Sequence, residues 1–202
     1  MPPGRKNSSK ERDMKRLYYD SSYIKTFTAK KGLWEVTLDQ TAFFPEGGGQ
    51  PYDTGTLGEA RVKEVHERGE EVIHYTDRPL TVGETVEGAI DWDRRFDNMQ
   101  GHSGEHIITG CIHRRFGYDN VGFHMGSEEI TIDFNGMITG EELDEMEAEA
   151  NEAIYRNLPV QILTPTPEEL KDMEYRSKKE LTGQVRITVI PGVDVCACCG
   201  TH

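Results

Sequence analysis

The sequence predicts an α+β protein with a small N-terminal antiparallel β-barrel-like domain, followed by an α+β domain in which a long helix packs on a sheet. Two observations carry this. Between residues 18 and 96, short alternating apolar and polar segments are separated by turn residues, the pattern of a small barrel or sandwich. After Asp97 the period changes to helical stretches interleaved with strands. The domains read as a flexible basic arm at 1–17, the β-barrel-like domain at 18–96 and the α+β domain at 97–202.

In chain order, Trp34, Val36 and Leu38 alternate with Glu35, Thr37 and Asp39, as a half-buried strand requires. Ala60 and Val62 flank Arg61, Val72-Ile73-His74-Tyr75 follows Arg68-Gly69, Val82 and Val86 flank Gly83, and Ala89-Ile90-Asp91-Trp92 closes the segment. Asp97 with Gln100 has the form of a capping box, which predicts a helix running to Phe116 and stopped by Gly117. Ile130 to Phe134 reads as a strand. Thr139 with Glu142 starts a second helix, in which Leu143, Met146, Ala150 and Ile154 recur at helical spacing. A third begins at Thr166, with Pro167 at its first position. Val185, Ile187 and Val189 form a strand that exits through Pro191-Gly192 into a cysteine cluster.

Composition narrows the function. Of 202 residues, 35% are hydrophobic, and the 21 glycines bring the apolar fraction near the ordinary range, enough for a sizeable core. The sequence has no apolar run of about 18 residues and no secretory h-region in its first 16, so a cytoplasmic protein without a membrane partner is expected. The net charge of −13 argues against a DNA-binding role, which needs a broad basic field. A nucleic acid would have to meet local basic groups. These are the arm (Arg5, Lys6, Lys10, Arg12, Lys15, Arg16), Arg94-Arg95, Arg114-Arg115, and Lys171 with Arg176, Lys178 and Lys179.

His102 and His106 stand four apart on the first helix, so both imidazoles share one face. The last five residues, Cys198-Cys199-Gly200-Thr201-His202, add a C-x-x-x-H. Three imidazoles and a thiolate form a set that suits zinc. On spacing alone, Cys196 and Cys199 remain alternative thiolates, whereas Cys111 reads as a packed core residue. Glu105 lies about 100° around the helix from His106 and reads as a solvated or supporting residue. His124 reads as structural. The third feature is Thr41 to Pro51, containing Gly47-Gly48-Gly49-Gln50. Three successive glycines mark a backbone that other residues cannot adopt, or one that a ligand approaches closely.

Taken together these motifs resemble the freestanding alanyl-tRNA editing proteins of the AlaX type, relatives of the editing domain of alanyl-tRNA synthetase. The resemblance is carried by Leu38 to Pro51, Asp53-x-Gly55, His102-Ser103-Gly104-Glu105-His106, Val121 to Gly126 with Thr131-Ile132-Asp133, and Cys198 to His202, in the family's order. It implies a zinc-dependent trans-editing hydrolase with one Zn2+ per chain. The substrate is mischarged tRNA(Ala), chiefly Ser-tRNA(Ala), with Gly-tRNA(Ala) as a second candidate. It further implies His102, His106, Cys198 and His202 as metal ligands, Thr41 as the catalytic-site residue that meets the aminoacyl group, and Gly47, Gly48, Gly49 and Gln50 as substrate-binding residues. Aminoacylation is not expected, because only the 17-residue arm precedes the barrel. The family continues beyond the last motif with a further strand or helix, whereas this sequence stops at His202, the last implied ligand. A non-catalytic RNA-binding module with structural zinc is the competing expectation.

Overall fold

A computed structural model describes residues 32–177 and 184–202, of which Leu33–His202 form one unit. The basic arm, Lys178 and Lys179 lie outside the described residues.

Five antiparallel strands form the first sheet: β1 (Trp34–Val36), β2 (Gly55–Leu57), β3 (Ala60–Arg68), β4 (Glu71–Thr76) and β5 (Gly88–Ile90), in the order β1-β4-β3-β2-β5. The hairpins β2–β3 and β3–β4 each turn through two residues, the first being Gly58 (φ 56°) and Gly69 (φ 66°), the arrangement of a type II′ turn. A bulge between Val62 and Glu64 changes the phase of β3, so Ala60, Val62 and Val65 all face inward although their spacing is not even. Leu57, Val62 and Val65 pack with Phe43 into one core cluster. The sheet is open, with β1 and β5 as its edges, where a barrel-like closure was expected. The segment around Val82, also read as strand-like, is turn and loop.

Helix α1 runs from Trp92 to Phe116. It starts five residues before the expected capping box at Asp97, because Trp92 is its first residue rather than the end of a strand. Asp91 occupies the N-cap position without a side-chain cap, since its carboxylate is taken by Thr54 and Arg61 of the sheet. The stop is as expected, with Gly117 in the left-handed region at φ 71°. A hairpin of β6 (Asn120–Met125) and β7 (Ile130–Phe134) follows. Helix α2 (Gly140–Tyr155) carries the full capping box of Thr139 and Glu142 and packs on α1 through Met146. Strand β8 (Gln161–Leu163), the short helix α3 (Pro167–Lys171), β9 (Ile187–Ile190) and β10 (Asp194–Ala197) complete the chain, with sheet order β10-β9-β8. Among the described residues, no helix is long and apolar enough to cross a membrane.

One contact fixes how α1 meets this last sheet. A Cβ at Gly110 would stand 2.4 Å from the Val193 carbonyl oxygen. The absence of a side chain lets the helix lie against the β9–β10 turn, and this places Asp194 beside His106.

Candidate metal centre

Helix α1 presents His102 and His106 from adjacent turns, both buried, while the segment leaving β10 brings Cys198 and His202 against them. The ligand atoms of all four lie within 4.8 Å of one another, and this group could hold a metal ion. Sγ of Cys198 is 3.5 Å from Nε2 of His102 and 3.5 Å from Nε2 of His202.

Each imidazole has its outer nitrogen occupied. Nδ1 of His102 is 2.9 Å from Oε1 of Gln50, Nδ1 of His106 is 2.7 Å from Oδ2 of Asp194, and Nδ1 of His202 is 3.4 Å from Oγ of Ser103. An amide or carboxylate oxygen only accepts, so His102 and His106 donate from Nδ1, leaving Nε2 of each facing the cluster. Asp194 is held in turn by Arg176, through Nε and a terminal nitrogen at 2.8 Å each. Gln50 also accepts from the Thr201 amide at 3.0 Å and donates to the Thr201 hydroxyl at 2.7 Å, so it ties His102 to the C-x-x-x-H turn. The turn passes so close that a Cβ on Gly200 would sit 2.2 Å from Cε1 of His102.

The electrostatics select one cysteine. Burial alone favours the thiol of Cys198, but hydrogen bonds from the three histidines outweigh it and pull its pKa down to about 3. Burial pushes Cys196 up to about 12 and also raises Cys199, so both remain thiols. Burial opposes the charged form of His106, yet the bonds to Asp194 and Cys198 prevail and raise its pKa to about 9. Asp194 shows the reverse balance: burial raises it, while His106 and Arg176 hold it below the usual carboxylate range. His106, Asp194 and Cys196 form a second close group. It shares His106 with the first and would need both the neutral Cys196 thiol and the already bonded Asp194.

Several sequence expectations change in place or role. Of the two roles expected for Glu105, the solvated one is excluded and the supporting one fits: it is 3% exposed, and Oε1 accepts from Thr109 at 3.0 Å and from Asn120. Its Oε2 lies 3.9 Å from Nε2 of His106. The 100° offset from His106 holds, but Thr109, one turn on, and Asn120 of β6 close a polar pocket around it. Arg176 is largely buried, 12% exposed at its side chain, and its guanidinium is paired with Asp194, which backs His106. Arg95 is paired with Asp53, Arg114 with Glu149 and Arg115 with Glu145. Arg94 lies over the Tyr52 ring.

The glycine-rich segment forms a tight turn. Gly47 and Gln50 exchange backbone hydrogen bonds of 3.1 and 3.0 Å, and Gly48 and Gly49 between them have φ of 62° and 87°. Positive φ at both central positions is the type I′ arrangement. A Cβ on Gly49 would lie 2.4 Å from the Phe123 ring, and Phe123 stands 5.3 Å from the His102 ring. Gln50, expected as a substrate contact, is fully buried behind His102. Thr41 is exposed and lines a cavity of about 870 Å³ formed by residues of 37–43 and 83–90, with Leu57; none of the four donors lines it. His124 is exposed on β6.

The chain is similar to proteins of known tRNA-synthetase and editing families. The model for class II (A) tRNA synthetases matches residues 4–94. Alanyl-tRNA editing protein Aarsd1 of Rattus norvegicus is 36% identical over 173 residues, covering 84% of this chain and 42% of that protein. The chain is a relative of the alanyl-tRNA editing proteins. AlaX-L of Pyrococcus horikoshii is 33% identical over 205 residues, covering 94% of this chain and 51% of its own length. Alanine–tRNA ligase of Thermococcus kodakarensis is 38% identical over 208 residues, covering 94% of this chain and 23% of the ligase. The chain thus spans about half the length, or less, of these relatives.

The sequence does not point to Asp194 or Ser103 as supports of the ligands, and it presents Arg176 only as a member of a basic group. Their signal is faint: Asp194 interrupts the apolar pair Val193 and Val195, and Ser103 follows a candidate ligand.

Proposed function

We propose that the chain is a zinc-dependent hydrolase that deacylates mischarged tRNA(Ala), chiefly Ser-tRNA(Ala), with Gly-tRNA(Ala) as a second substrate. The observation that carries this reading is the convergence of His102, His106, Cys198 and His202, each histidine backed at its outer nitrogen, in a relative of alanyl-tRNA editing proteins. The donor set fits zinc, since borderline-soft nitrogen and sulfur ligands in a tetrad are its preferred company. When bound, zinc supplies Lewis acidity toward the ester carbonyl and lowers the pKa of water to about 7.

The chain's own residues do the rest. Asp194 and Gln50 hold His106 and His102 with Nδ1 as donor and Nε2 facing the cluster, and Ser103 stands beside Nδ1 of His202. Gln50 acts from behind His102, while the turn of Gly47, Gly48 and Gly49, with Gly48 and Gly49 exposed, offers its backbone to the tRNA 3′ end. Thr41 meets the acyl side chain: a serine hydroxyl has a partner there that alanine cannot use, a difference of about 1–3 kcal/mol. The decisive assay compares deacylation of Ser-tRNA(Ala) and Ala-tRNA(Ala) by the full chain before and after removal of zinc. Loss of Ser-ester hydrolysis with the metal, and recovery on its return, is the expected result. Stoichiometric zinc without hydrolysis of either ester identifies a structural-zinc RNA-binding module instead.

A further inference from the structure

The Thr41 hydroxyl is not a free rotor. Its oxygen lies 2.8 Å from Nε2 of His74, on β4 of the first sheet, and accepts from the Phe43 amide at 3.1 Å. His74 is fully buried, its ring stands edge-on to Phe43 at 5.4 Å, and its Nδ1 is 3.1 Å from the Val36 carbonyl oxygen. A carbonyl oxygen can only accept, so Nδ1 carries the proton and Nε2 of the neutral ring is left as an acceptor. Burial lowers the pKa of His74, which keeps the ring neutral. The hydroxyl proton of Thr41 is therefore committed to Nε2. A hydroxyl has one proton and two lone pairs. With the proton on His74 and one lone pair on the Phe43 amide, a single acceptor site is left to the cavity.

We propose that His74 is a positioning residue that makes Thr41 an acceptor-only contact, so that this contact favours an acyl side chain that carries a hydrogen-bond donor, as in a seryl ester, and contributes nothing toward a glycyl or alanyl one. This rests on the reading of Thr41 as the contact to the acyl group. It adds a sense to that contact, since a side chain offering only an acceptor gains nothing there. The α-ammonium is common to seryl and alanyl esters, so the side-chain hydroxyl is the group on which the two can be separated.

The test has a spectroscopic arm and a kinetic arm. Nitrogen-15 NMR of the full chain should show His74 neutral with its proton on Nδ1, and Thr41→Val should move the Nε2 resonance toward that of an unbonded imidazole nitrogen. A proton on Nε2, or a charged ring, overturns the proposal. In kinetics, His74→Leu should lower the Ser-over-Ala ratio of kcat/KM about tenfold with zinc content unchanged. His74→Gln, which restores an acceptor oxygen, should recover most of it. A ratio unchanged in His74→Leu, or lost equally in His74→Gln, overturns the role of His74 while leaving Ser-ester hydrolysis standing. A wild-type chain that hydrolyses neither ester overturns the proposed function, and the ring tautomer still decides whether Thr41 is acceptor-only. If His74→Leu does not fold, the tautomer and the Thr41→Val shift decide alone.

Discussion

The donor cluster and the Thr41 cavity are both polar sites centred on histidine, yet they are built by opposite strategies. The cluster is assembled from distant sequence: His102 and Cys198 are 96 residues apart, and Gln50 reaches Thr201 across 151. The Thr41 contact is made within the first sheet and its leading segment, with partners 2 and 33 residues away. The first depends on close approach of separate elements, at Gly110 and Gly200. The second depends on the direction of single hydrogen bonds. The cluster is therefore vulnerable to steric change anywhere along its borders, and the cavity to loss of individual polar atoms.

Substitutions can break this contrast, beginning with the largest effect. His102→Ala or Cys198→Ala should abolish zinc retention and Ser-ester hydrolysis, yet leave the His74 ring tautomer as it is; metal analysis with NMR reads both. Gly200→Ala puts a methyl group into His102, and overpacking of this kind costs about 1–3 kcal/mol. Because the contact is a ligand, zinc affinity should fall with thermal stability, and a variant that keeps both would show that the turn can move. Asp194→Asn or Gln50→Ala should lower zinc affinity about 10- to 100-fold without removing a donor, measured by competition with a chelator. Thr41→Val is the counterpart in the other region: the Ser-over-Ala ratio narrows while zinc content stays at one per chain.

Two conditions sharpen the picture without mutation. His106 has its pKa raised to about 9, so below that pH a metal must displace its proton. Zinc affinity should then rise about tenfold per pH unit between pH 6 and 9 and level off above, in titrations at fixed ionic strength. Salt should matter least. Arg95, Arg114, Arg115 and Arg176 are already paired with carboxylates, which leaves fewer of the described cations for phosphates. A shallow dependence of deacylation on salt is expected, and a slope equivalent to about six phosphates would reveal a basic surface elsewhere.

Local rules made some of this legible in the sequence. Thr139 and Thr166 form their capping boxes, and Gly117 ends α1, because each depends on a few neighbouring residues. Two spacings, each fixed by one helix face or one turn, nominate the three histidines and a cysteine of the terminal cluster, and the family resemblance points to Cys198 among them. What escaped is set by tertiary contact. Trp92 opens α1 because Asp91 is tied to Thr54 and Arg61 across the sheet, so the apparent capping box at Asp97 lies inside the helix. Gln50 looked like part of a ligand-facing loop, but the turn directs its amide inward to His102. Arg176 looked like one member of a basic group until Asp194 accounted for it. The choice of Cys198 over its neighbours rests also on His102 and His106, which no local pattern places near it.

The span between His102 and Cys198 also bears on how the molecule reaches its folded state. An ion shared by these two side chains closes a chain loop of 96 residues, and the entropy of such a closure grows only with the logarithm of its length. In the unfolded chain the two partners rarely meet. In the folded chain they are brought together by elements from the middle and the end of the sequence, a topology that slows the search. Zinc then serves as a late clasp: it does little to start folding, but once seated it holds the returning C-terminal segment against the long helix and slows its release.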